Sequence, residues 1–201
     1  MRLPLSQPEA MGKGSAAPAF KPMPATPHDL FACLEKLGIA TDTIEHAPVF
    51  TVAESRSIKA AIPGGHSKNL FLKDRKDRLF LVVAKDETRI DLKRLHEAIG
   101  ASGRLSFGSA DLLRETLGVE PGSVTPFAAI NDAAGRVSVV LDAALMACER
   151  VNFHPLVNTM TTSIGQDDLV RFLRATGHEP RTLSLPEPKA ETSQTAAAAP
   201  S

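Results

Sequence analysis

The segment KNLFLKDRKDRLFLVVAK, residues 68–85, constrains this chain more than any other, because two apolar runs at 68–73 and 78–85 flank the charged turn Arg75-Lys76-Asp77. Short apolar runs joined by a compact polar turn pair antiparallel as a β-hairpin. The fold must therefore contain a sheet, and the remaining elements must cover its faces.

Local signals place those elements. Thr26 as N-cap, Pro27 at the first helical position and Gly38 beyond the last apolar residue frame a helix with Leu30, Phe31, Leu34 and Leu37 on one face. TIEHAPVF is extended ahead of its proline, and Thr51 with Glu54 three residues later has the capping-box pattern of a second helix running to about Ala61. Asp91 opens a helix that ends at Gly100, RLSF reads as a short strand, and Ser109 opens a helix stopped by Gly118. The stretch GVEPGSVTPFAAI is punctuated by Gly and Pro too often for a regular element and reads as a shaped loop leading into a strand. VSVVLD follows as a buried strand, NFHPLVNTMTTSI holds one or two more, and residues 166–176 form the last helix before RTLSL. Helices and strands interleave without a βαβ rhythm. The expected fold is α+β, one domain with a mixed, largely antiparallel sheet flanked by helices.

Residues 1–25 and 186–201 are rich in Pro, Ala, Gly and Ser and have little to bury, so both read as disordered tails around a domain at 26–185. Lys+Arg and Asp+Glu number 23 each, which removes the global basic field a general DNA binder needs and leaves any polyanion site to a local patch. The chain has no Trp and no Tyr, and its Phe residues sit in core-like patterns, which argues against a sheet that stacks several bases. Cys33 and Cys148 have neither redox nor metal-ligand spacing and read as buried small hydrophobes in a reducing compartment. No apolar run is long enough to span a membrane, and Pro4 and Pro8 interrupt any secretory signal, so the expected location is cytoplasmic.

Three stretches could carry chemistry. In GGHSKNLFLKD, Lys68 and Asn69 stand at the mouth of an apolar strand behind Gly64 and Gly65, which allow close backbone approach. In the loop 118–126, glycines leave main-chain N–H groups unshielded while Pro121 and Pro126 hold its shape. His154 lies in NFHPL, with no triad partner in the sequence order that would identify a nucleophile. Residue types alone favour a solvated lysine, an ordinary turn and a half-buried histidine over these roles. His66 reads as a loop residue, and His28, His46, His96 and His178 read as helix or surface positions. No paired carboxylates, zinc spacing or Walker-type loop appears.

Together, GGHSKNLFLKD, GVEPGSVTPFAAIND and NFHPLVNTMTTSI resemble the YbaK-like aminoacyl-tRNA deacylase family. The closest likeness is to the freestanding Ala-tRNA(Pro) editing proteins related to the insertion domain of prolyl-tRNA synthetase. The resemblance spans about residues 26–185 and rests on Ser-Lys-Asn before a strand, Gly-x-x-x-Pro at Gly122 to Pro126, and Phe-His-Pro. It implies hydrolysis, without cofactor or metal, of the ester joining a wrong amino acid to the tRNA 3′-terminal adenosine. The catalytic set it implies is Lys68, Asn69, Gly122 and His154, with Gly118, Pro121, Ser123, Thr125 and Pro126 on the substrate side. Lys68, Lys73 and Arg78 would contact tRNA, with Arg75 and Lys76 as weaker candidates in a turn diluted by Asp74 and Asp77. The partners implied are aminoacylated tRNA(Pro) and, beyond it, prolyl-tRNA synthetase or an elongation factor. Two other readings stay open: a deacylase for Cys or Ser on tRNA, and an inactive tRNA- or synthetase-binding module.

Overall fold

The computed structural model describes residues 23–48 and 61–188. Helix α1 (Pro27–Lys36) starts as its cap signals require, with Thr26 Oγ1 accepting from Asp29 N and Asp29 accepting from Thr26 N in a closed capping box. Helices α2 (Leu92–Ile99) and α3 (Ala110–Leu117) begin at Asp91 and Ser109, whose side chains accept from Lys93 N and Leu112 N, and end at Gly100 and Gly118. The helix expected over 51–61 falls outside the described residues except for Ala61 at its end.

Among the described residues, eight strands form one sheet: β1 (Thr41–Glu45), β2 (Gly65–Lys73), β3 (Leu79–Lys85), β4 (Ser106–Phe107), β5 (Val137–Asp142), β6 (Arg150–Phe153), β7 (Met160–Gly165) and β8 (Arg181–Leu183). Their order is β1-β7-β6-β2-β3-β5-β8, with β4 added to β2. The expected hairpin is β2 and β3, paired antiparallel with Phe71 opposite Leu81. Antiparallel pairing also joins β1 to β7, β6 to β7 and β4 to β2, whereas β2 with β6, β3 with β5 and β5 with β8 run parallel. The sheet is thus mixed, with antiparallel pairings in the majority.

Strand alternation sends the hairpin's apolar residues to both faces. Phe71, Leu81, Val83, Val139 and Leu141 pack with Leu30 and Leu34 of α1, Leu117 of α3, and Leu169 and Phe172 of α5 (Gln166–Ala175). On the other face Leu72, Phe80, Val82, Ala84 and Val140 meet Leu95 and Ile99 of α2 and Leu185. Each large side chain so buried contributes about 1.5–3 kcal/mol. At the β1-β7-β6 end, the face that α2 covers elsewhere carries, beside Ile44, mostly polar residues: Asp42, Arg150, Asn152, Thr161 and Ser163, followed by His154. A sheet face left polar at one end is where a pocket can open.

Several expectations need correction. Pro126–Asn131 is a 3-10 helix inside the predicted loop, capped by Thr125 Oγ1 accepting from Phe127 N, and a four-residue helix, α4 (Ala143–Met146), follows β5. His178 is buried, not superficial: its Nε2 lies 3.1 Å from Asp132 Oδ2 and its Nδ1 3.1 Å from Thr176 Oγ1. His46 lies just past β1 with its ring half-buried, and both cysteines are half-buried against the core. At the hairpin turn, burial pushes the Asp74 carboxyl up, but hydrogen bonds from the main chain of Ser102, Arg78 and Lys76 and from the Arg78 guanidinium outweigh it. Asp74 therefore titrates well below the usual carboxylate range.

Candidate active site

The site begins where β2 enters the sheet. Gly64 has φ +106°, and a Cβ there would stand 2.7 Å from Arg150 O, so only glycine lets the chain turn against β6. Asn152 Nδ2 donates to Pro63 O at 3.1 Å and fixes that turn from the β6 side. Gly65 and His66 then run parallel to Val151 and Asn152. Beyond them β6 stops, and β4 joins the same edge of β2 only at Leu72 and Lys73. The interval between is bridged by side chains: Ser67 Oγ donates to Asn152 O at 3.2 Å, and Asn69 Nδ2 donates to Val124 O at 2.9 Å.

Lys68 and Asn69 are successive strand residues and leave β2 on opposite faces. Lys68 points to the face that carries Leu72 and α2, where its Nζ donates to Asp86 O at 2.9 Å and to Thr88 O. These carbonyls orient the ammonium without neutralising it. Their turn is held in its own right, since Asp142 Oδ2 accepts from Lys85 N at 3.1 Å and from Thr88 Oγ1 at 2.7 Å. Continuing the register from His66 opposite Asn152 by two residues brings Lys68 toward the level of His154 on the same face.

His154 follows β6. Its Nδ1 lies 2.9 Å from Met160 O, and a carbonyl can only accept, so Nδ1 carries the proton and Nε2 presents a lone pair. Burial depresses its pKa below the ordinary histidine value, the Met160 carbonyl opposes this, and nearby His46 adds to the depression. The two rings are 6.1 Å apart, with His46 Nδ1 donating to Ala47 O and Nε2 accepting from Thr161 Oγ1. Glu45, His46, Thr159 and Met160 line a recess of about 410 Å³ beside this pair. Leu156, two residues on, is 6% exposed with φ +69°, a conformation non-glycine residues seldom adopt, and its N–H donates to His154 O at 3.0 Å. Such strain persists only where packing fixes it.

The loop from Gly118 to Pro126 is divided by burial. Ser123, Thr125 and Pro126 are buried, Ser123 N donates to Glu120 O and Thr125 caps the 3-10 helix, so these residues shape the loop. Pro121 and Gly122 are exposed, and Gly118 closes α3. Phe127 anchors the far end by edge-on contact with Phe153 of β6 at 5.7 Å, which ties the loop to the strand leading into His154. Lys73 and Arg78 lie at the far end of the hairpin, bridged to Asp77 at 3.1 Å and Asp74 at 2.8 Å. The arrangement thus puts Lys68 and His154 on one face and Asn69 with the loop against the other. Sequence reading missed Asn152, although its position two residues before His154 puts it on the same face. Among the described residues no three His, Cys, Asp or Glu side chains gather as a metal site.

An oriented lysine and a half-buried histidine therefore stand at the polar end of a mixed sheet, and the comparisons give the class of protein that carries them. The model of the aminoacyl-tRNA editing domain matches residues 46–172. The prolyl-tRNA editing protein ProX of Acetoanaerobium sticklandii is 38% identical over 157 residues, covering 78% of this chain and 95% of that protein. The prolyl-tRNA synthetase associated domain-containing protein 1 of Mus musculus is 38% identical over 156 residues, covering 76% and 92%. A solved structure described as a candidate trans-editing enzyme for prolyl tRNA synthetase shares the fold at TM-score 0.63 and 18% identity, over 81% of this chain and 97% of that one. The chain belongs to the aminoacyl-tRNA editing domain family and is an aminoacyl-tRNA deacylase acting in trans-editing. Its substrate is an aminoacylated tRNA, and no helix among the described residues is long and apolar enough to cross a membrane.

Proposed function

We propose that the chain hydrolyses Ala-tRNA(Pro), sparing Pro-tRNA(Pro), and that Lys68 holds the phosphate or ribose side of the terminal adenosine. The observation that carries this is the carbonyl-held ammonium of Lys68: two of its three N–H groups go to Asp86 O and Thr88 O, and the third, with the full charge, is left for an anion. The similar proteins, one named for prolyl-tRNA editing and one for a prolyl-tRNA synthetase associated domain, support tRNA(Pro) as the carrier.

An aminoacyl ester is already activated, so attack by a positioned water needs orientation more than a protein nucleophile. His154 Nε2, as a lone pair on a neutral ring, is suited to orient that water or to make a polar contact in the pocket wall. Asn69 donates to the loop and leaves its Oδ1 without a partner among the described residues, which suits it to accept from a ribose hydroxyl. Lys68 with His154 and Asn69 with the loop lie on opposite faces, so both reach one ester only across the β2 edge that neither β6 nor β4 pairs, between His66 and Leu72, and there Gly122, exposed and bare, is the loop donor for charge developing on the ester oxygen. Ser123, Thr125, Pro126, Gly118 and Pro121 keep that loop in shape, and Lys73 and Arg78 extend the tRNA contact by exchanging their carboxylate partners for phosphate. A pocket sized for a methyl rejects the prolyl ring sterically, whereas a synthetase separates such small differences by only about 1–3 kcal/mol. Prolyl-tRNA synthetase or an elongation factor would supply the mischarged tRNA.

The test is single-turnover deacylation of Ala-, Ser-, Cys- and Pro-charged tRNA(Pro) by the intact protein and Lys68→Ala. Ala-tRNA(Pro) should be cleaved fastest, Pro-tRNA(Pro) left intact, and the substitution should slow the reaction about tenfold or more. Faster cleavage of the Ser or Cys ester would reassign the specificity, and an unchanged rate in Lys68→Ala would remove the lysine from the mechanism.

A further inference from the structure

We propose that Asn152 binds the α-ammonium group of the aminoacyl ester through its side-chain oxygen. This rests on the ester-hydrolysis reading and adds the recognition element that reading lacks, a partner for the substrate's own cation.

Asn152 is 3% exposed, and its Oδ1 has no hydrogen-bond partner among the described residues. The amide cannot simply be turned over. Its Nδ2 faces Pro63 O at 3.1 Å, and a carbonyl requires a donor there, so the oxygen is the atom left over. A buried acceptor without a donor is costly, and an incoming donor relieves that cost. By strand alternation the side chain lies on the face of His154, two residues on, and by the β6–β2 register on that of Lys68.

Charge decides which substrate group comes here. Near its ester an aminoacyl-tRNA offers a phosphate, ribose hydroxyls and an ammonium. Lys68 attracts the first and repels the last, so the ammonium must lie away from it. Asn152 pairs with His66, two residues back along β2, which is about 7 Å at 3.3 Å per residue and is commensurate with the reach from ribose to amine. Arg150, the nearest cation on that strand, is engaged with Asp42 at 2.7 Å and with Ser163, so its charge is balanced locally. A neutral amide oxygen can serve a cation that comes and goes. A carboxylate there would be left as an unpaired buried charge after each turnover.

The test measures binding of acceptor-stem RNA hairpins ending in 3′-amino-3′-deoxyadenosine acylated with alanine or with lactic acid, in which a hydroxyl replaces the ammonium. Neither amide is cleaved on the assay timescale, so affinity is read apart from catalysis. The wild type should prefer the alanyl hairpin about tenfold, the scale of a hydrogen bond to a charged group. Asn152→Ala should bring the ratio to about one, and Asn152→Asp should preserve or raise it. A wild-type ratio near one, or a ratio unchanged in Asn152→Ala while both affinities fall together, overturns the assignment and shows a purely structural role at Pro63. Deacylation of Ala-tRNA(Pro) by the wild type, run in parallel, is independent of that ratio. If the ratio behaves as expected but no ester is cleaved, the hydrolysis reading fails and the ammonium site stands.

Discussion

Substituting Gly64 by alanine tests how the entry to β2 sets the site. The residue has φ +106°, and the added Cβ would lie 2.7 Å from Arg150 O, 3.2 Å from Arg150 C and 3.3 Å from Asn152 Nδ2. Two of those atoms are main chain in the adjoining strand and cannot rotate away. Backbone strain at a non-glycine residue there costs about 1–3 kcal/mol, and the steric conflict about 1–3 more. Alanine restricts the unfolded chain and returns about 0.4–1 kcal/mol. The net loss is about 1–5.6 kcal/mol, or roughly 2–22 °C in Tm for a domain of this size. Gly177→Ala is the control, because φ there is +87° but nothing lies within 4 Å of the added atom, so only the backbone part should appear. Thermal unfolding by circular dichroism compares the two, and single-turnover deacylation well below both midpoints shows whether the Lys68–His154 spacing has moved. The reasoning fails if Gly64→Ala melts within about 2 °C of Gly177→Ala, since the clash with Arg150 would then be absent.

Asp142→Ala removes the acceptor that holds the 85–88 turn and caps α4, and should destabilise by about 2–4 kcal/mol while weakening tRNA binding, because the carbonyls that orient Lys68 are set loose. Denaturant melts and a binding isotherm check it, and lost stability with unchanged affinity would separate the turn from the lysine. Because burial depresses the pKa of His154, the deacylation rate should be flat through neutrality and fall only below the ordinary histidine value of 6.5, as Nε2 is protonated. A descending limb above that pH would exclude His154 as its source. Asp74 is depressed in the folded state, so its stabilisation is present above the unfolded carboxylate range and is lost as pH falls through the folded value. The stability gap between wild type and Asp74→Asn should therefore be constant near neutrality and shrink below about pH 4.

Local chemistry is what the sequence announced. Thr26 with Pro27, Asp91 and Ser109 opened helices where expected because a cap acts on N–H groups two or three residues away. The hairpin was legible for the same reason, though β2 starts at Gly65, three residues before its apolar run, because β6 supplies the pairing there. That parallel partner lies some 85 residues downstream, a distance at which no pattern in one sequence reports. His178 was misread because its partner Asp132 is likewise remote, 46 positions earlier in the chain. The candidate site was read as three stretches grouped by adjacency in sequence, but Lys68 and Asn69, neighbours in the chain, point to opposite faces, a consequence of strand periodicity that was available from the strand assignment itself. Asn152 gave no signal of its own, since an orphaned oxygen exists only once Pro63 has claimed the other half of the amide.

A deacylase with 23 cationic and 23 anionic side chains must hold a polyanion without a polyanion's usual counterpart. Lys73, Arg78, Arg114, Arg136, Arg150, Arg171 and Arg174 are already bridged to carboxylates, so recruiting any of them to phosphate means breaking an existing pair. Lys68 differs because its partners are carbonyls. Counterion release scales with the phosphates neutralised, about 0.7–0.9 per contact in the slope of log K against log salt. If the tRNA draws on only a few contacts of this kind, the slope should lie between about −1 and −3, and Lys68→Ala should make it shallower by about one contact. Affinity titrated across salt for both proteins decides the matter. A slope steeper than about −5 would mean that an extended basic surface holds the tRNA, and the oriented ammonium of Lys68 would then be a minor contributor to binding.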